Sequence, residues 1–166
     1  MEYFAPRKLS EVLVLIKKWK GKSKLIGGGT NVILEMRAGA VQPQALIDIS
    51  QLKNLSYIKG EKKRIRIGGL TTISELASSK VMQNYAPILS EAANQLGNPL
   101  VRNRGTIAGN LGDASPATDT AVPLLVLDAM VMADRDGGKH REIPIDQFFL
   151  GPNQTVFKKD EQDEPL

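Results

Sequence analysis

The stretch that most limits what this chain can fold into is Gly27-Gly28-Gly29-Thr30-Asn31. The apolar run Lys24 to Ile26 reads as a short strand before it. A helix through about Arg37, closed by Gly39, reads after it. Consecutive glycines let the backbone take positive φ and let a ligand approach main-chain N–H groups. Asn31 as the helix N-cap would leave orphan donors and partial positive charge beside the turn. That construction suits a phosphate and needs no lysine. Many glycine turns between a strand and a helix bind nothing, so the turn has to be weighed with the rest of the chain.

Two common nucleotide sites lose ground at once. No Lys-Ser/Thr pair follows the glycines, so the turn is not a P-loop. The glycines are consecutive and Thr30-Asn31 come next, so it is not the G-x-G-x-x-G fingerprint of a dinucleotide-binding Rossmann unit.

A second stretch, Asn98 to Asp119 (NPLVRNRGTIAGNLGDASPATD), is polar and reads as irregular, punctuated by Leu100, Val101, Ile107 and Leu111. A structureless segment that long inside a compact domain is usually functional. Thr106-Ile107-Ala108-Gly109-Asn110 again offers small residues and a hydroxyl beside backbone donors. Asp119 has two readings, an acceptor for a ribose hydroxyl or a helix N-cap, and spacing leaves both open. Arg102 and Arg104 pair with phosphate or lie on the surface; spacing leaves that open too.

Around these stretches the periodicity alternates between helix and strand. Lys8 to Lys20 spaces Leu9, Val12, Leu13, Ile16 and Trp19 as an amphipathic helix ended by Gly21, with Trp19 in its core face. Ala45 to Ile49 reads as a strand, so the first fifty residues form a small α/β unit. Ser56–Lys59 and Arg64–Ile67 read as a hairpin, with Lys59 to Arg64 as its solvated charged turn. Thr72 and Glu75 form a capping-box pattern for the helix ISELASS. Ala86 to Leu96 reads as a helix with Pro87 in its first turn. Asp119 to Leu127 reads as a short buried helix. Met130–Ala133 and Arg141–Ile145 pair as strands around Asp136-Gly137-Gly138. A boundary near Gln51–Leu55 divides the chain into subdomains 1–53 and 54–157. Residues 158–166 are expected to be disordered.

Composition removes several function classes. There is no cysteine, hence no disulfide and no Cys-ligated zinc or iron–sulfur cluster in this chain. The net charge of +4 comes without a basic stretch interleaved with aromatics, so nucleic acid is not an expected partner. The start is not a signal peptide, and the apolar run Ala121–Ala133 is too short for a bilayer and carries Asp128. No membrane partner and a cytoplasmic address are expected. No nucleophile–base constellation is present, and the single histidine, His140, is expected to face solvent in a charged turn.

Taken together, LIGGGTN, IGGLTTISELASS, VRNRGTIAGNLGDASPATD, DTAVPLLVLDAMVMA and FFLGP resemble the FAD-binding medium subunit of the molybdenum hydroxylase family. That family includes carbon monoxide, aldehyde and xanthine dehydrogenases. The resemblance runs from Phe4 to Val156. It implies an α+β fold of two α/β subdomains, of the vanillyl-alcohol-oxidase (PCMH) type, with FAD between them. It implies that Ile26, Gly27, Gly28, Gly29, Thr30, Asn31 and Val32 wrap the pyrophosphate. Thr106, Ile107, Ala108, Gly109 and Asn110 would form a second clamp, and Ser115 and Asp119 would contact the cofactor, with Asp119 at a ribose. Leu96 or Gly97 would lie near the flavin ring. It implies an oxidoreductase component with two partners, a large molybdopterin subunit that hydroxylates the substrate and a small iron–sulfur subunit that delivers electrons. The flavin would pass them to an external acceptor. Molybdopterin and clusters belong to those partners, and no metal is expected here. The family's medium subunit continues into a C-terminal domain that this chain is expected to lack. Two alternatives stand beside this reading, a stand-alone flavoprotein and a non-enzymatic nucleotide-binding or assembly module. A bulky residue at Gly28 is expected to abolish FAD binding at a small cost to the fold, ~1–3 kcal/mol if φ is positive there.

Overall fold

The structure is a computed structural model that describes residues 1–135 and 139–157. Strands β1 (Glu2–Phe4), β2 (Ser23–Ile26) and β3 (Ala45–Asp48) form a parallel sheet in the order β1-β3-β2. Helix α1 (Leu9–Trp19) links β1 to β2, and helix α2 (Val32–Arg37) links β2 to β3. The central strand β3, ALID, buries Ala45, Leu46 and Ile47, as expected of a parallel strand covered on both faces. Val12 of α1 packs with Ile47, Ile49, Leu52 and Leu70 in one apolar cluster. Trp19 is half-buried against Phe4, with ring centroids 6.1 Å apart. The predicted α/β unit is therefore present, with one addition. Three residues are too few to show a period, and β1 is visible only through its pairing of Tyr3 with Leu46.

That pairing also places a polar contact. The Tyr3 hydroxyl donates to Asp48 Oδ2 at 2.6 Å, and the Ser50 N–H donates to Oδ1 at 2.9 Å. Partial burial alone would raise the Asp48 pKa. The Tyr3 and Ser50 hydrogen bonds, with the charge of Arg104, outweigh it and hold the carboxyl below its ordinary 3.8. A carboxyl with a lowered folded pKa contributes stability that is complete above its unfolded value and is lost as pH falls through the folded one. Urea denaturation at pH 7 and pH 3 should thus cost the native chain more stability than Asp48→Asn over the same interval. Equal losses in the two proteins would remove Asp48 from the acid response.

Strands β4 (Ile58–Glu61) and β5 (Arg64–Ile67) form the expected antiparallel hairpin, with Lys62 and Lys63 exposed at its turn. Helix α3 (Ile73–Ser78) starts with the capping box read from the sequence. The Glu75 N–H donates to Thr72 Oγ1 at 3.2 Å, and the Thr72 N–H donates to Glu75 Oε2 at 2.7 Å. Helices α4 (Lys80–Tyr85) and α5 (Pro87–Gln95) follow. Ser79 ends α3 and also caps α4 through its side chain, a reuse that merged the two in the sequence pattern.

The stretch 98–119 departs from expectation. It carries helices α6 (Pro99–Arg102) and α7 (Ile107–Asp113). Both begin on polar caps: Asn98 accepts from the Val101 N–H, and Thr106 accepts from the Gly109 N–H. Caps and glycines are turn residues as well, so short capped helices rich in them resemble loop. Helix α8 (Ala121–Val126) also differs from the expected buried helix. It buries Pro123 and Leu124 but leaves Val122 65% and Val126 64% exposed.

Strands β6 (Met130–Arg135) and β7 (Lys139–Pro144) pair antiparallel, and β8 (Phe149–Gly151) pairs with β9 (Gln154–Thr155). A second apolar cluster joins these elements to the helices through Ile73, Leu76, Leu89, Ile107, Ile143 and Phe148. The turn Asp136-Gly137-Gly138, the His140 side chain and the tail 158–166 lie outside the described residues.

Candidate functional site

The two glycine-bearing stretches line one cleft of about 980 Å³. That is the upper range for cofactor sites. Ile26, Gly27, Gly28, Gly29, Thr30, Asn31 and Val32 line it from the β2–α2 side. Thr106, Ala108, Gly109, Asn110, Asp113 and Ser115 line it from α7 and the turn after it. Leu96, at the end of α5, lines it as well. Lys20, Lys22 and Lys24 extend the lining along β2.

The stretches meet at Gly28. A Cβ there would lie 1.9 Å from the Arg104 carbonyl oxygen and 2.9 Å from Gly105 Cα. Main chain rests on main chain, and no side chain fits between. Positive φ was one of the two expected reasons for glycine in this turn. The structure puts positive φ one residue later, at Gly29 (φ +73), and gives Gly28 to close approach instead.

The turn has spare donors. Among the described residues, no acceptor takes the N–H groups of Gly28, Gly29 and Thr30. The second stretch is different, because four of its five amides, those of Ile107 to Asn110, already have acceptors. The Ile107 N–H donates to the Thr71 carbonyl and the Ala108 N–H to the Gly69 carbonyl, each at 3.0 Å. The Asn110 N–H donates to the Thr106 carbonyl at 2.9 Å. Gly109 donates to the Thr106 hydroxyl at 3.1 Å. The Ile107 and Ala108 amides stitch α7 to segment 69–72, next to an isolated bridge between Thr72 and Thr106, while those of Gly109 and Asn110 close the first turn of α7 on Thr106. What the second wall offers is side chains. The Thr120 hydroxyl donates to Asn110 Oδ1, which leaves the Asn110 NH₂ as a donor. Ser115 Oγ accepts from the Ala117 N–H at 3.3 Å, and the Ser115 carbonyl accepts from Thr118 Oγ1 at 2.7 Å. The Ser115 hydroxyl proton remains available.

Several expected residues fall elsewhere. Ile107 is buried in the core. Gly97 (φ +51) shapes the passage from α5 to α6 but does not line the cleft. Asp119 is exposed and outside the lining, and the N-cap of α8 is Thr120. Arg102 braces the end of α5, donating from Nη1 to the Leu96 carbonyl at 3.1 Å and the Gly97 carbonyl at 3.3 Å. Arg104 is exposed, and its charge acts on Asp48. Sequence reasoning missed Thr120 and Asp113, because one bonds Asn110 from the start of α8 and the other bonds Asn31 across 82 positions of chain.

Unpaired amides, an amide NH₂ and a hydroxyl around a glycine cradle can hold an extended anion by hydrogen bonds. Among the described residues no cluster of His, Asp or Glu could hold a metal ion. No described helix is long and apolar enough to cross a membrane.

A family model described as the FAD binding domain in molybdopterin dehydrogenase matches residues 1–162. The carbon monoxide dehydrogenase medium chain of Hydrogenophaga pseudoflava is 34% identical over 160 residues, which is 96% of this chain and 55% of that protein. The nicotinate dehydrogenase FAD-subunit of Eubacterium barkeri is 36% identical over 151 residues, 90% of this chain and 51% of that protein. A solved carbon monoxide dehydrogenase from Hydrogenophaga pseudoflava, lacking the Mo-pyranopterin moiety, matches with a TM-score of 0.92 at 33% identity. The match covers 96% of this chain and 55% of that one. The chain thus spans about half the length of these relatives.

Proposed function

This chain belongs to the family of FAD-binding domains of molybdopterin dehydrogenases, and on that premise we propose that its cleft holds FAD with the pyrophosphate on the Gly28–Thr30 amides. The observation that carries this is the set of three main-chain donors without an acceptor among the described residues, one of them on a glycine that cannot carry a Cβ. The Asn110 NH₂ and the Ser115 hydroxyl complete the donor set. Ile26, Gly27, Asn31 and Val32 flank the turn, and Thr106, Ala108 and Gly109 form the opposite wall. Leu96 supplies an apolar surface for the ring system. Ile107, Gly97 and Asp119 are left out of this assignment because none of them lines the cleft. The division into 1–53 and 54–157, with the cofactor between, is part of the same proposal; Leu70 of the second part packs into the apolar cluster of the first.

Bound FAD supplies an acceptor able to exchange electrons singly and in pairs. The residues of this chain bind it, orient it and shield its pyrophosphate from water. In the assembly we propose, the chain is the flavin component of a molybdenum-dependent dehydrogenase. A small iron–sulfur subunit delivers electrons, a large molybdopterin subunit oxidises the substrate, and an external acceptor takes the electrons.

The test is a visible spectrum of the chain after addition of FAD and desalting, with a thermal melt of each sample. Free FAD at a hundred times its dissociation constant should add ~2.7 kcal/mol of stability. Riboflavin, which lacks the pyrophosphate, should give little retained colour and little shift. Equal binding of riboflavin would remove the pyrophosphate from the glycine turn. Retained FAD without co-purifying cluster-bearing chains would favour a free-standing module over an electron-transfer component.

A further inference from the structure

We infer that Asp113 is a positioning residue for the cofactor and acts through Asn31; the inference rests on the FAD reading of the cleft. Asn31 occupies the N-cap position of α2, where asparagine ordinarily accepts a hydrogen bond from the helix's own backbone. Here the side chain makes no such bond. Its Nδ2 instead donates to Asp113 Oδ1 at 2.6 Å, across 82 positions of chain. A carboxylate only accepts, so the nitrogen end of the amide has to face Asp113, and the orientation is determined.

The location gives this bond its role. Asn31 directly follows the unpaired amides of Gly28, Gly29 and Thr30. Asp113 lies between Asn110 and Ser115, the two side-chain donors of the opposite wall. Both partners line the cleft. The bond therefore straps the donor-bearing turn to the donor-bearing end of α7 and sets the span between the two sets. A set already held at the right span loses less freedom when the anion arrives. Without the strap, Asn31 is free to turn back and cap α2, which keeps the fold and loosens the site.

FAD titration by flavin fluorescence, with melts of the cofactor-free chains, separates the possibilities. Asp113→Ala should weaken FAD about tenfold while the cofactor-free melting temperature stays at the native value. Asp113→Asn keeps an acceptor oxygen and should stay within about threefold of native. Asn31→Ala combined with Asp113→Ala should bind no more weakly than Asn31→Ala alone. Native-like FAD affinity in Asp113→Ala overturns the inference. So does a loss of affinity matched by a falling melting temperature in that variant. A native chain that takes up no FAD overturns the cofactor reading and this inference together, an outcome distinct from both.

Discussion

Gly28→Val should cost the fold about 3 kcal/mol, the upper end of ordinary overpacking, and should lower FAD affinity by on the order of 100-fold, as the loss of one or two hydrogen bonds to a charged group would. The cause is steric and nonlocal. The added Cβ would lie 1.9 Å from the Arg104 carbonyl oxygen and 2.5 Å from its carbon. These are main-chain atoms, so no rotamer change can relieve the contact. The β2–α2 turn and the α6–α7 connection have to separate, and the donors on the two walls separate with them. The neighbouring glycines give an internal standard. A Cβ at Gly27 would sit 3.3 Å from the Thr106 hydroxyl, a contact that small shifts can absorb. At Gly29 it would meet the flexible end of Ile26 at 3.0 Å, with φ at +73. Alanine there should cost ~1–2 kcal/mol from the left-handed backbone alone. The expected order of damage in an alanine series is thus Gly28, then Gly29, then Gly27, read by urea denaturation and FAD titration. A Gly28 variant as stable as native would mean that the two stretches do not touch.

That series also shows where sequence reasoning stops. A strand, three glycines and a helix beginning near Asn31 are local facts, and they stand in the structure as read. The reason Gly28 must be glycine is not local, since it depends on Arg104 lying against it. The same limit applies to the second stretch. Thr106-Ile107-Ala108-Gly109-Asn110 was legible as a small-residue segment near the first turn. That its Ile107 and Ala108 amides are already spent depends on the carbonyls of Thr71 and Gly69, which reach them only through tertiary packing. Asp119 shows a related limit. An acidic residue before a helix looks alike as a ligand or as a cap, and here the cap position falls to Thr120 while Asp119 lies exposed outside the cleft lining. Helices α6 and α7 were hidden because four to seven residues rich in Gly, Asn and Pro show no apolar period. Their caps were visible, but caps are also turn residues.

Phe148→Ala should be the most damaging core substitution, at about 3–5 kcal/mol. That is a large share of the ~5–15 kcal/mol that holds a domain of this kind together. Phe148 is fully buried. Its ring meets Phe149 edge-on, with centroids 5.0 Å apart, and Phe157 at 5.4 Å. Its carbonyl accepts from the Val156 N–H at 2.9 Å. The side chain therefore anchors the β8–β9 hairpin to the second cluster from inside. Thr155 of β9 and Phe157 just beyond it line the cleft. Removing the ring leaves a cavity among rigid neighbours and loosens one side of the cofactor site at once. Phe148→Leu should cost less than about 1.5 kcal/mol, because it keeps most of the volume. Leu150→Ala, two residues on but 66% exposed, should stay within about 0.5 kcal/mol of native. Urea midpoints for the three variants decide the matter. If Phe148→Ala and Leu150→Ala unfolded at the same midpoint, the ring would not be the anchor, and the hairpin would have to be held to the cleft by its backbone pairing alone.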